Sequence, residues 1–215
     1  MREALLALFV LGLGCAGGPS KTPSLESQCT GGDQEACWHL ATQLFDSGGD
    51  AKRAAKLMEE ACRADVPDAC ADLGERLEKG DGVPKDAHQA RIIYSLGSVG
   101  GSAVAAGNLG LMYYQGEGGE PNLDEAHRLM RKACDAGLDW SCFNLGMAYA
   151  EGKKAPAELG KALAAFQKGC DLNDGNACWV ASEMIRKRQG TDPDPDRAAT
   201  LMKKACKLGY KKACG

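Results

Sequence analysis

Ten of the eleven cysteines form five pairs of one separation: Cys29/Cys37, Cys62/Cys70, Cys134/Cys142, Cys170/Cys178 and Cys206/Cys214, eight residues apart in each. Thiols at a fixed spacing can bind a soft metal, cycle electrons or close into structural disulfides. Zinc ligands that are close in sequence usually have about two to four residues between them, and His39, His88 and His127 fall at unrelated distances from the cysteines. Redox pairs take the Cys-x-x-Cys form, which the chain lacks. The disulfide reading is therefore favoured, with no metal and no cofactor expected. It places a condition on the backbone. On one continuous helix, two α-carbons eight positions apart are about 12 Å from each other, beyond the about 4.4–6.8 Å that a disulfide spans. The chain must turn back between the members of every pair.

The elements that meet this condition recur along the chain. First members of the pairs are spaced by 33, 72, 36 and 36 residues, the self-similarity of a repeat array. The 72-residue gap hides a repeat without cysteines: SVGGSAVAAGNLG, starting at Ser98, aligns with CDAGLDWSCFNLG, starting at Cys134, so that Ser98 and Ala106 stand where a pair would be. Ahead of Cys62, Ser98, Cys134, Cys170 and Cys206, apolar or small residues lie eight, five, four and one positions back, as in Ala54, Leu57, Met58 and Ala61. Those steps fall on one stripe of an amphipathic helix, here termed helix B. Three residues after the first cysteine position come Gly32, Asp65, Gly101, Gly137, Asn173 and Gly209, residue types that tolerate the left-handed conformation ending a helix. The second cysteine is expected to open helix A, with Leu40, Leu73, Leu109 and Leu145 three residues on and Gly74, Gly110, Gly146 or another small residue four on. Loops such as GDGVPKD, GEGGEPNLDE and DPDPD separate A from the next B. The expected fold class is all-α, a solenoid of about five 36-residue repeats stapled by disulfides.

The eleventh cysteine differs. Cys15 closes the apolar run ALLALFVLGLG after Met-Arg-Glu, a stretch that suits a signal peptide and is too short to span a bilayer. It resembles a bacterial lipoprotein signal, which is cut before the cysteine whose thiol is then lipidated, although Gly12 stands where Leu is usual. Lipidation of Cys15 would leave an even number of cysteines for pairing; cleavage with secretion is the alternative. The expected organisation is a signal peptide at 1–14, a lipidated cysteine and flexible Gly/Pro/Ser-bearing tether at 15–28, and the repeat array at 29–215. The disulfides call for an oxidising compartment, hence the bacterial cell envelope, in the periplasm or as an outer-membrane lipoprotein, or secretion. A net charge of −3 gives no basic field for a nucleic acid.

The segments ACADLGERLEKGDGVPKDAHQA, GNLGLMYYQGEG and ACDAGLDWSCFNLGMAYAEG resemble Sel-1-like repeats, relatives of tetratricopeptide repeats, and the cysteine spacing is similar to that of their cysteine-rich branch, typified by the Helicobacter cysteine-rich proteins. The resemblance covers roughly residues 29–214. It implies a right-handed α/α superhelix with one disulfide per repeat, a scaffold role toward protein or peptide partners, and, from the label some cysteine-rich members carry, penicillin binding with β-lactamase activity. The residues supply no catalytic group for that last property: no serine has a lysine three positions on, and Lys-Thr-Gly is absent. The chain is thus read as an exported, lipid-anchored binding scaffold, with a β-lactam-hydrolysing protein as the alternative.

By analogy with tetratricopeptide arrays, helix A lines the concave face. Two residues after the second cysteine position stand His39, Asp72, Asn108, Asn144 and Val180. Asn108 and Asn144 recur with Tyr113 and Tyr149 and form a candidate groove for an extended peptide, a cell-wall glycan strand or a β-lactam; the competing reading makes the asparagines mere repeat consensus and the tyrosines core. Trp38, Trp140 and Trp179 lie near helix A starts, where they are expected to cover disulfides and seal repeat junctions. After Cys214 no further helix A is expected, so the final disulfide would pin a frayed end.

Overall fold

The computed structural model describes residues 23–152 and 157–215. Cys15, the apolar leader and most of the tether lie outside the described residues. Eleven α-helices follow in order among the described residues: α1 (Leu25–Thr30), α2 (Gln34–Asp46), α3 (Ala51–Arg63), α4 (Pro67–Lys79), α5 (Ala87–Gly100), α6 (Ala103–Gln115), α7 (Leu123–Asp135), α8 (Asp139–Glu151), α9 (Leu159–Asp171), α10 (Gly175–Arg186) and α11 (Pro195–Lys207). One turn of 3-10 helix, Lys211–Ala213, follows α11. Even-numbered helices from α2 to α10 are the A elements and odd-numbered ones the B elements. The first helix starts at Leu25, with the Ser24 hydroxyl accepting from the Ser27 N–H. It therefore takes in four residues that composition assigns to the tether.

Local chemistry fixes the helix boundaries. The side chains of Asp33, Asp50, Asp86, Asn122 and Asp194 each accept a hydrogen bond from the backbone N–H three residues on, satisfying a donor that a helix start leaves without a partner. One expected boundary is corrected. The second cysteine of a pair does not open helix A; it lies one turn inside, with the helix starting at Gln34 for Cys37, Pro67 for Cys70, Asp139 for Cys142 and Gly175 for Cys178. At Cys178 the reason is visible in the cap, where the Asp174 side chain accepts from the Asn176 N–H at 2.8 Å. The helix begins as soon as the turn ends, ahead of the cysteine. The last pair differs again, because Cys214 follows the 3-10 turn and lies in no α-helix.

All six expected turn residues have positive φ, from 63° at Asp65 and 74° at Asn173 to 109° at Gly101. Asp and Asn tolerate this region better than other side chains. The reversal brings the cysteine α-carbons to 4.5–4.8 Å, and all five disulfides are formed: Cys29–Cys37, Cys62–Cys70, Cys134–Cys142, Cys170–Cys178 and Cys206–Cys214.

Each helix packs on the one before and the one after it, and successive A helices also touch from α4 to α10. The seam is a bulky residue of helix B set against a glycine of helix A. Tyr94, Met130 and Phe166 are fully buried, and a Cβ added at Gly74, Gly110 or Gly146 would lie 2.6, 2.8 or 2.7 Å from them respectively. No side chain fits there without moving a core residue. At the junction without a disulfide, Ser98 and Ala106 are buried. Gly97 fits there so closely that a Cβ would lie 2.8 Å from both Ala105 and Cys70.

The α5–α6 junction keeps the turn that closes the other pairs, so a sixth staple should form there. The double substitution Ser98→Cys and Ala106→Cys is expected to oxidise without free thiols and to raise stability by about 2.5 kcal/mol in the chain-entropy model. Thiol titration and urea unfolding of the oxidised variant check this; a pair that stays reduced under air would show that this junction has a different geometry.

Candidate functional site

The A helices place one row of equivalent residues along the array. His39 on α2 is exposed, while Asp72 on α4, Asn108 on α6 and Asn144 on α8 are half-buried. Bonds between repeats hold the row in register. Trp38 Nε1 donates to Asp72 Oδ2 at 2.7 Å, and the Trp38 ring stacks on His39 at 4.7 Å between centroids. Burial pushes the Asp72 carboxyl up, against the opposing pull of the Trp38 bond and the Arg76 guanidinium. Further along, the Tyr114 hydroxyl donates to Glu151 Oε2 on the next A helix at 2.6 Å, and burial beside that carboxylate pushes the phenol up to about 12. The Tyr94 hydroxyl, from within the core, donates to Glu78 at 3.1 Å.

The tyrosines do not share this row. Tyr113 packs toward helix B, with the Arg91 guanidinium 3.9 Å over its ring. Tyr149 is buried under His127 at 4.6 Å and accepts from Arg131. Five residues separate Asn108 from Tyr113 and Asn144 from Tyr149. At about 100° per residue this turns the side chain about 140° away. The groove expected from Asn and Tyr together is therefore replaced by two surfaces: the asparagine row on the A helices, and a cleft at each tyrosine between neighbouring B helices.

Residues missed on sequence complete the A face. Leu111 and Met147 stand three positions after the asparagines, and Met147 is 37% exposed, giving an apolar centre. Toward α4, a small cavity of about 230 Å³ is lined by Thr42, Asp72, Glu75, Arg76, Lys79 and Asp81. Arg76 is held over the Phe45 ring at 3.9 Å and donates to Asp81 at 2.7 Å. The face is thus apolar at its middle and charged around α4, where Glu75 pairs with Lys79 and Asp81 with Arg76. The signal for it was the helical step of three from each asparagine.

Of the disulfide cysteines, Cys134 borders the cleft at Tyr149, while those of the next junction are enclosed. Cys170 and Cys178 are fully buried and pack with Ala205 and Ala213, under the side chains of Trp179 and Tyr210. Cys178 therefore presents nothing to a ligand, and its part is structural. Trp179 packs against Tyr210 at 5.2 Å in this last junction, and a Cβ on Gly107 would lie 2.3 Å from Trp140. These two tryptophans seal junctions, while Trp38 spends its N–H on the A row. Buried serines serve the backbone: Ser141 Oγ donates to the Met130 carbonyl at 3.0 Å and Ser182 Oγ to that of Ala198 at 2.7 Å. His39, His88 and His127 lie on α2, α5 and α7, and among the described residues no cluster of three His, Cys, Asp or Glu could hold a metal.

Comparison with known proteins places this geometry. A family model described as Sel1 repeat matches residues 34–66, 67–98, 103–138, 141–174 and 176–210. Each matched unit begins on an A helix and ends with the following B helix, so each disulfide reaches across a unit boundary. Among solved structures, the chain is similar to a protective antigen of uropathogenic Escherichia coli strains displaying an SLR fold, with 21% identity and a TM-score of 0.80 over 88% of this chain and 41% of that one. The chain thus spans 41% of that protein's length. A Sel1 repeat protein from Oxalobacter formigenes gives 22% identity and a TM-score of 0.73, over 84% of this chain and 75% of that one. One from Klebsiella pneumoniae gives 24% and 0.57, over 88% and 94%. At these identities the likeness is one of fold. No curated protein matches the sequence.

The cleft at Tyr149 carries a pH dependence. His127 Nε2 is buried with no hydrogen-bond partner. Burial lowers its pKa, with Arg131 and Lys161 acting the same way against Glu158 and Asp124. A lowered folded-state pKa means that stability present above the unfolded value, about 6.5, is lost as pH falls through the folded one. Between about pH 7.5 and pH 5, His127→Gln should lose less stability than the parent in urea unfolding. Equal losses would show that His127 is solvated in the fold.

Proposed function

The chain belongs to the Sel1 repeat family, and from that premise we propose that it is an exported, lipid-anchored scaffold that holds a protein or peptide segment along its helix A face. The observation that carries this reading is the row His39, Asp72, Asn108 and Asn144, repeated at one position of successive A helices and locked in register by the Trp38–Asp72 and Tyr114–Glu151 bonds. Side-chain amides at a regular interval can donate to and accept from an extended backbone, which offers both kinds of group at every residue. Leu111 and Met147 supply apolar contact between them, and methionine adapts to varied partners. The carboxylates of Asp72, Glu75 and Glu78 favour a basic residue in the segment that crosses α4.

Export is supported by the disulfides, which persist outside the reducing cytosol, and anchoring by the apolar run that ends at Cys15. Among the described residues no helix is long and apolar enough to cross a membrane. The attachment in this reading is a lipid on Cys15. The β-lactam alternative gains no observation, since the hydroxyls of Ser141 and Ser182 are buried and engaged with backbone carbonyls.

Two experiments test the proposal. Peptides selected from a random library on the oxidised protein should bind the double variant Asn108→Ala, Asn144→Ala about tenfold more weakly, the loss of a buried hydrogen bond at each position; unchanged titration curves would remove the A face as the site. Radiolabelled palmitate fed to the bacterial host should enter the full-length protein and vanish with Cys15→Ser. Label retained in that variant would place any acyl group elsewhere.

A further inference from the structure

The outward face of α5 differs in kind from that of its sister helices. At the position of Leu96, α3, α7, α9 and α11 carry Glu60, Lys132, Lys168 and Lys204, and at that of Val99 they carry Arg63, Asp135, Asp171 and Lys207. On α5, Ile92, Leu96 and Val99 are apolar and exposed, at 56%, 45% and 84%. Steps of four and three residues set them on one face, a row about 10 Å long. Contiguous exposed apolar side chains mark interaction sites more often than chance placement. This row lies on the one B helix whose following junction lacks a disulfide.

The row borders a built groove. A cavity of about 630 Å³ lies between α5, which contributes His88 and Arg91 beside the row, and a far wall of Tyr113 and the loop residues Gly118, Gly119 and Glu120. That wall is fitted closely: a Cβ on Gly118 would lie 2.3 Å from the Ala87 carbonyl oxygen and one on Gly119 2.6 Å from Arg91 Nη1. Arg91 lines the groove together with Glu120, and a second cation, Lys132 of α7, lies just outside the lining. Arg91 lies over the Tyr113 ring and donates to the Glu120 carbonyl at 3.1 Å. Lys132 donates to the Ser98 carbonyl at 2.6 Å, which fixes it beside Val99.

We infer that this groove docks an amphipathic helix of a partner protein, its apolar ridge along Ile92, Leu96 and Val99 and its acidic flanks against Arg91 and Lys132. Charge decides the occupant. A second copy laid on the same row would set cations with apolar neighbours against the same arrangement, and like charges brought together oppose association. A flat lipid surface would leave the recess under Gly118 and Gly119 unfilled. A helix ridge with acidic flanks fills the recess and pairs both cations, the helix-in-groove mode of recognition. This surface lies on the B side and is independent of the asparagine row.

The probe is a synthetic fluorescent helical peptide with leucines at i, i+4 and i+7 and glutamates on its flanks, titrated by anisotropy with the oxidised protein. The control peptide has lysines for the glutamates. The variant Ile92→Lys, Leu96→Lys, Val99→Asp carries residues that sister helices hold at these positions, and circular dichroism verifies its fold. Loss of these anchors should weaken the glutamate peptide about tenfold or more, and the lysine peptide should bind the parent by a similar factor less well. Equal binding of the two peptides, or of parent and variant, overturns the inference, as does no binding at about millimolar concentration. A dimer in sedimentation equilibrium that the variant abolishes would assign the row to a second copy. Binding of vesicles of phosphatidylcholine and phosphatidylglycerol without peptide binding would assign it to a membrane. Either result also overturns it.

Discussion

Between each B helix and the A helix after it the backbone reverses through a residue at positive φ, and the architecture follows from that reversal. Where the residue is Gly32, Gly137 or Gly209 the conformation costs little; where it is Asp65 or Asn173, φ values of 63° and 74° are held by side chains that tolerate this region better than most. The turn sets helix ends side by side, brings cysteine α-carbons to 4.5–4.8 Å, and fixes which helix faces meet. Without it the disulfides could not form, nor could one helix pair stack on the next.

The register of the repeat gives the staples their meaning. Matched units run from an A helix through its B helix, and packing within a unit rests on Tyr94 against Gly74, Met130 against Gly110 and Phe166 against Gly146. Three disulfides act between matched units, where repeat proteins depend on nearest-neighbour interfaces, and Cys29–Cys37 and Cys206–Cys214 tie the flanking segments to the end units. At the α5–α6 boundary that covalent tie is replaced by close packing of Gly97 on Ala105 and by Lys132 reaching the Ser98 carbonyl. The exposed apolar row on α5 begins at this boundary, so the departure from the repeat pattern in covalent structure coincides with the departure in surface chemistry.

The two faces of the array have different electrostatics. On the A side, carboxylates at Asp72, Glu75 and Glu78 gather around α4, and burial raises the Asp72 carboxyl even with Trp38 and Arg76 nearby. On the B side, Arg91 and His127 occupy equivalent positions above Tyr113 and Tyr149: one repeat caps its tyrosine with a guanidinium, and the next with an imidazole whose pKa burial lowers. At Tyr149 the cations come instead from Arg131, which donates to its hydroxyl, and Lys161 over its ring.

The sequence by itself determined the repeat period, the all-α class, the pairing of the cysteines and the six turn positions, because each depends on chemistry within a few residues: a stripe at helical spacing, a residue type that accepts positive φ, a loop too short to leave the partner in doubt. The start of helix A was set one turn too late, at Cys178 and its counterparts, because the capping residue and not the cysteine ends the turn. Even the separation of Tyr113 from Asn108 was legible, since five residues on a helix face away from each other. What the tertiary structure alone decided lies between repeats. Nothing near Trp38 in the sequence announces that its N–H ends on Asp72, 34 residues on, nor does Tyr114 announce Glu151. The apolar residues Ile92, Leu96 and Val99 read as ordinary members of a hydrophobic helix until α5 is packed and that face is left open. Periodicity tells which side of a helix a residue occupies, and only the packing of neighbouring helices decides whether that side meets core, cleft or solvent.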